Sequence, residues 1–344
     1  MRRTPLALAT VVVLAAATLG LAGCGQDSSG DGPVTVRLGY FPNITHATAL
    51  VGVEKGIFAE KLGANKLDSK TFNAGPAAIE ALFSGAIDAA YIGPNPAINA
   101  HAKSKGQAIR IVAGAASGGV ALVVKPGINS VQDLRGKKIG TPQLGNTQDV
   151  AVRYWLKQNG LSSSKEGGGD VKIIPQENAQ TLETFGSNAI DGAWMPEPFV
   201  SRLIGLGGKV LVDERDLWPD KKFVITHLLV RTKFLQEHPD VVKQLIEAHV
   251  AATEFINSRP DESQQAISEH IGKLTGKPLD LKLIKQAWPS LTFLNDPIAS
   301  SLKIGADHAI EIGLLEKVDL TGIYDLKLLN EVLKAKGQPE VKGL

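Results

Sequence analysis

Sulfur chemistry is nearly missing from this chain: of 344 residues one is a cysteine, Cys24, and two are methionines. Intrachain disulfides and multi-cysteine zinc sites are therefore excluded. An excess of either charge is missing as well, since 37 Lys and Arg stand against 35 Asp and Glu for a formal net charge of +2. Near-neutrality removes the bulk basic charge that meets a phosphate backbone, and no nucleic-acid partner is expected. There is no Gly-x-Ser-x-Gly elbow, no His-Glu-x-x-His helix and no nucleotide fingerprint, and the seven histidines are scattered singly. The chain is accordingly expected not to be an enzyme, with no catalytic residue, no metal and no cofactor. What remains is 43% hydrophobic and 21% charged, with 36 Gly and 18 Pro, the composition of a folded α/β protein. The 321 residues after position 23 suffice for a large core or two medium domains.

Arg2 and Arg3 open the chain, Thr4 to Gly23 is uncharged and mostly apolar, and Leu21-Ala-Gly-Cys24 follows. This is the order of a secretory signal peptide, with small residues before the cut. The four residues resemble the bacterial lipoprotein box, which implies cleavage after residue 23 and a diacylglyceryl group on Cys24. Residues 1–23 are then a signal peptide and 24–33 a lipidated, Gly/Ser/Asp-rich tether. The product is expected on the extracytoplasmic face of the bacterial cell membrane, anchored through its acyl chains and not spanning it.

From residue 34 onward, short strand-like runs alternate with helical spacing. Val34 to Tyr40 reads as a strand, Ala47 to Phe58 as a helix, Ala89 to Ile92 as a strand, and Ile109 to Ala113 as the next one. The same alternation resumes with Lys138 to Gly140, Asn146 to Leu156, Val171 to Ile174 and Ile190 to Trp194, and from Pro239 the chain is mainly amphipathic helix. One internal match organises this series. Glu80 to Tyr91 lies over Glu183 to Trp194 without a gap, and both segments run into a proline turn, Gly93-Pro-Asn-Pro96 and Met195-Pro-Glu-Pro198. Two equivalent α-to-β junctions imply two related lobes, joined by Val120–Val124 and Phe223–Val230. The expected division is 34–122 plus 227–344 for lobe one and 123–226 for lobe two. Asp88 and Asp191 read as strand-start caps.

Open α/β sheets bind ligands outside the carboxyl ends of their strands, where helix amino ends point. Asn43, Thr45 and His46 follow the first strand and lead into a helix, which suits anion binding, with His46 a neutral donor. Tyr91 and Asn95 flank the turn of lobe one, Asn95 as an amide donor and Tyr91 as core or pocket wall. Ser117 and Gly118 form a small polar turn before the first crossing. In lobe two, Thr141, Asn146, Thr147 and Gln148 belong to a Gly-rich, polar turn that opens onto a helix and lacks the lysine of a P-loop. Trp194 is a wall or a core residue, and Glu197 would pair with a ligand amine or a nearby base. Thr226 and His227 are adjacent on a crossing strand, so one of the two faces the cleft.

Cys24 in its lipobox, Gly39-Tyr-Phe-Pro-Asn43, Gly52-Val-Glu-Lys-Gly-Ile-Phe58, Gly85-Ala-Ile-Asp88, Thr141-Pro-Gln-Leu-Gly-Asn-Thr147 and Trp194-Met-Pro-Glu-Pro198 together resemble the bacterial ABC-importer substrate-binding proteins for nitrate, sulfonate and taurine. The resemblance covers residues 34 to 260 well and the helical tail loosely. It implies a two-lobe type II periplasmic-binding-protein fold, α/β, with mixed sheets flanked by helices. It also implies capture of a small anionic or zwitterionic solute and docking to an ABC permease powered by a separate ATPase. An aliphatic sulfonate or taurine is the expected solute. Nitrate, a thiamine-pyrimidine precursor, and a lipoprotein sensor without transport are the alternatives.

Overall fold

The computed structural model describes residues 32–344. The expected signal peptide, Cys24 and most of the tether lie outside the described residues. In chain order the strands are β1 Thr35–Tyr40, β2 Lys66–Thr71, β3 Ala89–Ile92, β4 Ile109–Gly118, β5 Val120–Val124, β6 Lys138–Thr141, β7 Lys172–Pro175, β8 Gly192–Pro196, β9 Lys209–Asp213, β10 Val224–Arg231 and β11 Leu291–Phe293. They form two mixed sheets, ordered β11-β4-β10-β3-β1-β2 and β7-β6-β8-β5-β9.

Strand β1 runs parallel to β2 on one side and β3 on the other, and β6 runs parallel to β7 and β8 in the same way. The strand order therefore reverses at β1 and again at β6, which makes the carboxyl ends of these two strands the switch points of their sheets. An apolar cluster reaches into both sheets, holding Leu38 and Tyr40 of the first and Ile139 and Trp194 of the second, all fully buried.

The internal sequence match corresponds to a repeated junction. Helix Gly75–Phe83 leads into β3 and helix Asn178–Gly186 into β8. At the first junction the Asp88 N–H donates to the Arg37 carbonyl at 2.7 Å, and the Asp88 carbonyl accepts the Arg231 N–H at 2.8 Å. The Asp88 carboxylate accepts the Arg37 N–H at 3.1 Å. At the second, the Asp191 N–H donates to the Lys138 carbonyl at 2.9 Å, its carbonyl accepts the Lys125 N–H at 2.8 Å, and its carboxylate accepts the Lys138 N–H at 2.9 Å. Both acids are strand-start pegs, as expected from the sequence. Asp88 also carries two guanidinium partners, Arg37 at 2.6 Å and Arg231 at 2.8 Å. Burial opposes its ionisation, but these partners outweigh burial and hold the carboxyl below its ordinary range.

The passages between sheets differ from the sequence expectation. Strand β5 pairs with β8 and β9, and β10 pairs with β3 and β4, so each belongs to one sheet and neither spans both. The chain passes over at Gly118 and Gly119, with φ of +79° and +69°, a region in which a side chain is strained. It returns through the short 3-10 turns Glu214–Leu217 and Pro219–Lys221. Helices Pro239–Ser258, Pro260–Thr275, Ala299–Glu311 and Lys327–Ala335 follow, and β11 joins the first sheet beside β4. At three residues β11 is too short to show alternation in the sequence.

Replacing Asp88 by Asn is expected to cost about 2–3 kcal/mol of stability, because it leaves two arginines at the peg without a counter-charge. The cost sits toward the low end because the Arg37 side chain is 35% exposed. Asp191→Asn, whose peg is open to water, is expected to cost about 1 kcal/mol. Urea unfolding midpoints of the two variants check the ranking.

Candidate functional site

The loops leaving β1 and β6 face each other between the sheets and enclose a cavity of about 20 Å³, which has room for about one water molecule. Asn43, Thr45 and His46 line it from the first loop, and Asn146, Thr147 and Gln148 from the second. Asn73 and Asn178, which precede and begin paired helices in the two halves, complete the polar lining, and Phe41, Pro142, Pro196 and Ile225 supply apolar wall.

Hydrogen bonds between the halves hold the cavity shut. The Asn73 side-chain amide donates to the Pro142 carbonyl at 3.3 Å, and the Asn178 N–H donates to Asn73 Oδ1 at 3.1 Å. The Gly75 N–H donates to Asn146 Oδ1 at 3.3 Å. The Ile44 N–H donates to the Glu197 carbonyl at 3.0 Å. Gly93 is required at this contact, because a Cβ there would fall on Thr147 Oγ1.

The lining carries no charged side chain at neutral pH. Burial pushes the His46 imidazole down to about 3, so it is neutral. The Phe41 N–H donates to His46 Nδ1 at 3.3 Å, which places the proton on Nε2 and makes that atom a donor. Thr147 Oγ1 and Asn178 Oδ1 are buried without a hydrogen-bond partner among the described residues. Helices Pro94–Lys103, Thr147–Gln158 and Asn178–Gly186 all begin at the cavity, and none has a side-chain cap hydrogen bond at its start. First-turn N–H groups of the helices that start at Thr147 and Asn178 thus meet a small neutral chamber, and helix Pro94–Lys103, whose Pro94 and Pro96 have no N–H, adds the positive end of its dipole. Such a chamber suits an anion: the field is supplied by peptide dipoles, with no fixed cation to desolvate.

Six of the residues singled out from the sequence meet here: Asn43, Thr45, His46, Asn146, Thr147 and Gln148. Nine lie outside the cavity lining. The Tyr91 hydroxyl is 2.8 Å from His249 Nδ1 in the core, and the Asn95 amide donates to the Gly305 carbonyl at 3.1 Å, turned toward helix Ala299–Glu311. Ser117 Oγ accepts the Phe223 N–H at 3.4 Å, and Gly118 packs on the Ser290 carbonyl. The Thr141 hydroxyl donates to Asp149 at 3.2 Å. The Trp194 indole donates to Glu214 at 2.6 Å, and of the two open readings it takes the core position. The Glu197 carboxyl accepts the Ser201 N–H at 3.1 Å and hydroxyl at 3.0 Å, so its side chain is committed to its own helix turn. His227 Nε2 lies 3.2 Å from the Pro297 carbonyl, and Thr226 is fully buried on the same strand. Strand pleating decides most of these: Tyr91 and Trp194 occupy equivalent positions of β3 and β8 and point into the core. Asn73 and Asn178 are the polar lining residues that sequence reasoning missed, and Pro142, Pro196 and Ile225 the apolar ones. Extending the internal match five residues back aligns the helix starts Gly75 and Asn178, and that alignment was the available signal.

Residues 29–272 match the family model described as the NMT1-like family. A relative from Brucella abortus is 32% identical over 217 residues, 62% of this chain and 64% of its own length, so the chain spans just under two thirds of it. The taurine-binding periplasmic protein of Escherichia coli is 28% identical over 207 residues, 59% of this chain and 61% of its own. Among solved structures, the periplasmic nitrate-binding protein of Synechocystis superposes with a TM-score of 0.73 at 18% identity, covering 88% of this chain and 89% of its own. That likeness carries the fold: the α/β periplasmic-binding-protein fold expected from the sequence, with two mixed sheets flanked by helices.

The buried groups set a pH optimum for stability. Burial lowers His46 to about 3 and His227, His249 and His308 to about 4, and it raises Glu197 and Glu214 to about 7. Below about pH 6.5 the unfolded chain protonates the four imidazoles while the folded chain does not, so stability falls with falling pH. The two carboxyls act in the opposite sense, because above about pH 4.5 they ionise only in the unfolded chain. Near pH 5.5 the unfolded state binds about two protons more, so stability is expected to rise with pH by about 2–3 kcal/mol per unit and to peak near pH 7. Urea midpoints measured from pH 5 to 8 check this; a flat profile from pH 5 to 7 contradicts it.

Proposed function

We propose, from the premise that this chain belongs to the NMT1-like family, that it captures a small oxyanion-headed solute outside the cytoplasm and delivers it to an ABC import permease driven by a separate ATPase. The observation that carries this reading is the small, uncharged cavity onto which three helix starts and the donors His46 and Thr147 converge. A binding role accords with relatives named for binding taurine and nitrate. Lipidation at Cys24 after removal of residues 1–23, with the anchor at the outer face of the cell membrane, is part of the same proposal and rests on the Leu21-to-Cys24 motif.

The solute head we assign is a sulfonate, with an aliphatic sulfonate first. Its three oxygens can take donors from the loops of both halves, while Phe41 and the prolines line a short organic tail. Closure over a tail needs more room than the cavity of about 20 Å³ now offers, and this small volume favours nitrate as the second reading. A basic pyrimidine loses its support, because Glu197 faces Ser201 instead of the cavity. In this account residues 41–46, 73, 93, 142–148 and 178 form the site, and the two sheets are the cores of lobes that close on the solute.

Calorimetric titration with taurine, methanesulfonate, nitrate and sulfate is expected to give saturable heat with one sulfonate and none with sulfate. Thr147→Val removes the buried hydroxyl donor while keeping its shape, and it should weaken that binding by about 2 kcal/mol, roughly thirtyfold in Kd. Heat with nitrate alone replaces the first reading by the second. No heat with any of the four overturns the proposal.

A further inference from the structure

A second cavity, of about 460 Å³, shares no lining residue with the first and lies between helix Thr147–Gln158, the turn Glu214–Leu217 and helix Ala299–Glu311. Its walls are aromatic: Tyr154, Trp155, Trp218 and His308. His308 stacks on Tyr154 with ring centroids 3.5 Å apart and planes inclined by 12°, and Trp218 lies 5.5 Å from His308. On the other side Trp218 stacks on Phe223 at 5.2 Å, which fixes the indole plane.

The one acid in this lining is Glu214, which is 1% exposed. Its oxygens accept indole N–H groups, from Trp194 at 2.6 Å and Trp218 at 3.4 Å. Arg215, next in the chain, is turned to Asp213 at 2.6 Å, and Lys157, on the helix that carries Tyr154, is paired with Glu311 at 3.5 Å. Among the described residues Glu214 therefore has no cationic partner. Burial and the neighbouring Asp213 charge push it up to about 7, a cost that a bound cation would remove. His308 is pushed down to about 4 by burial, so it presents a neutral ring and does not repel a positive guest.

The cavity is of small-molecule size. Its aromatic faces attract cations through their quadrupoles, most strongly at Trp. They offer no oxygen cage, so a hard metal ion would lose its hydration shell without replacement. A weakly hydrated organic cation meets both features at once. We propose that this cavity is a second ligand site, for a small organic cation of the quaternary-ammonium class, with Tyr154, Trp155 and Trp218 as its cage and Glu214 as the counter-ion.

The test is titration of the full chain with choline and with its neutral carbon isostere 3,3-dimethylbutan-1-ol, followed by calorimetry and tryptophan fluorescence. Choline is expected to saturate and to change the indole emission, and the isostere to bind at least tenfold more weakly. Glu214→Gln removes the charge while its single amide oxygen keeps the shorter bond from the Trp194 indole, and it is expected to weaken choline at least tenfold; the half-buried Trp218→Leu, which keeps the carboxylate and its bond from Trp194 and gives up only the longer 3.4 Å bond, should do the same. Absence of saturation by millimolar choline overturns the proposal. So does equal binding of the isostere, or unaltered choline affinity in either folded variant.

Discussion

The whole site depends on the reversal of strand order at β1 and β6. Each of these strands has parallel neighbours on both sides, so the chain leaves its carboxyl end into a gap that no other connection covers. Because the two halves repeat one topology, two such gaps exist, and the sheets set them face to face. The pegs at Asp88 and Asp191 hold the strands beside the gaps in register, one braced by two arginines and the other by backbone and a half-exposed Lys137. Residues far apart in sequence, 41–46, 73, 142–148 and 178, become neighbours for this reason only.

Electrostatics at the cavity follow from what surrounds it. A lysine or arginine placed there would have to be desolvated between the halves. Helix starts avoid that cost, since their dipoles are already oriented and their N–H groups already lack helical partners. The neutral imidazole of His46 and the partnerless hydroxyl of Thr147 add direction without adding charge. The aromatic cavity around Glu214 shows the reverse arrangement, a buried acid under π-faces. One chain thus holds a chamber lined by neutral polar groups at helix starts and an aromatic chamber with a single acid.

Much of this was legible in the sequence, for identifiable reasons. The gapless match of 80–91 with 183–194 exposed the duplicated junction, and the polar turns after β1 and β6 were visible as helix starts following strands. Side-chain direction was not legible. Tyr91, Trp194, Thr226 and His227 sit in strands whose pleat alone decides which face each meets, and β3, β8 and β10 are buried on both faces, so no alternation marks the cleft side. Asn95 and Glu197 lie in the right turns, but their side chains bond within their own half. Asn73 and Asn178 carried no motif; the register of the repeat aligns Asn178 with the helix start Gly75 and leaves Asn73 two residues before it. Strands β5 and β10 read as bridges because they are continuous and apolar, yet the passages between sheets are the glycine pair and two short turns beside them.

The most direct test of the account is a crystal structure grown with methanesulfonate. The account predicts an oxyanion in the cavity between β1 and β6, within hydrogen-bond distance of His46 Nε2, Thr147 Oγ1 and the first-turn N–H groups of helix Thr147–Gln158. A methanesulfonate bound elsewhere, with only water between those loops, would contradict it.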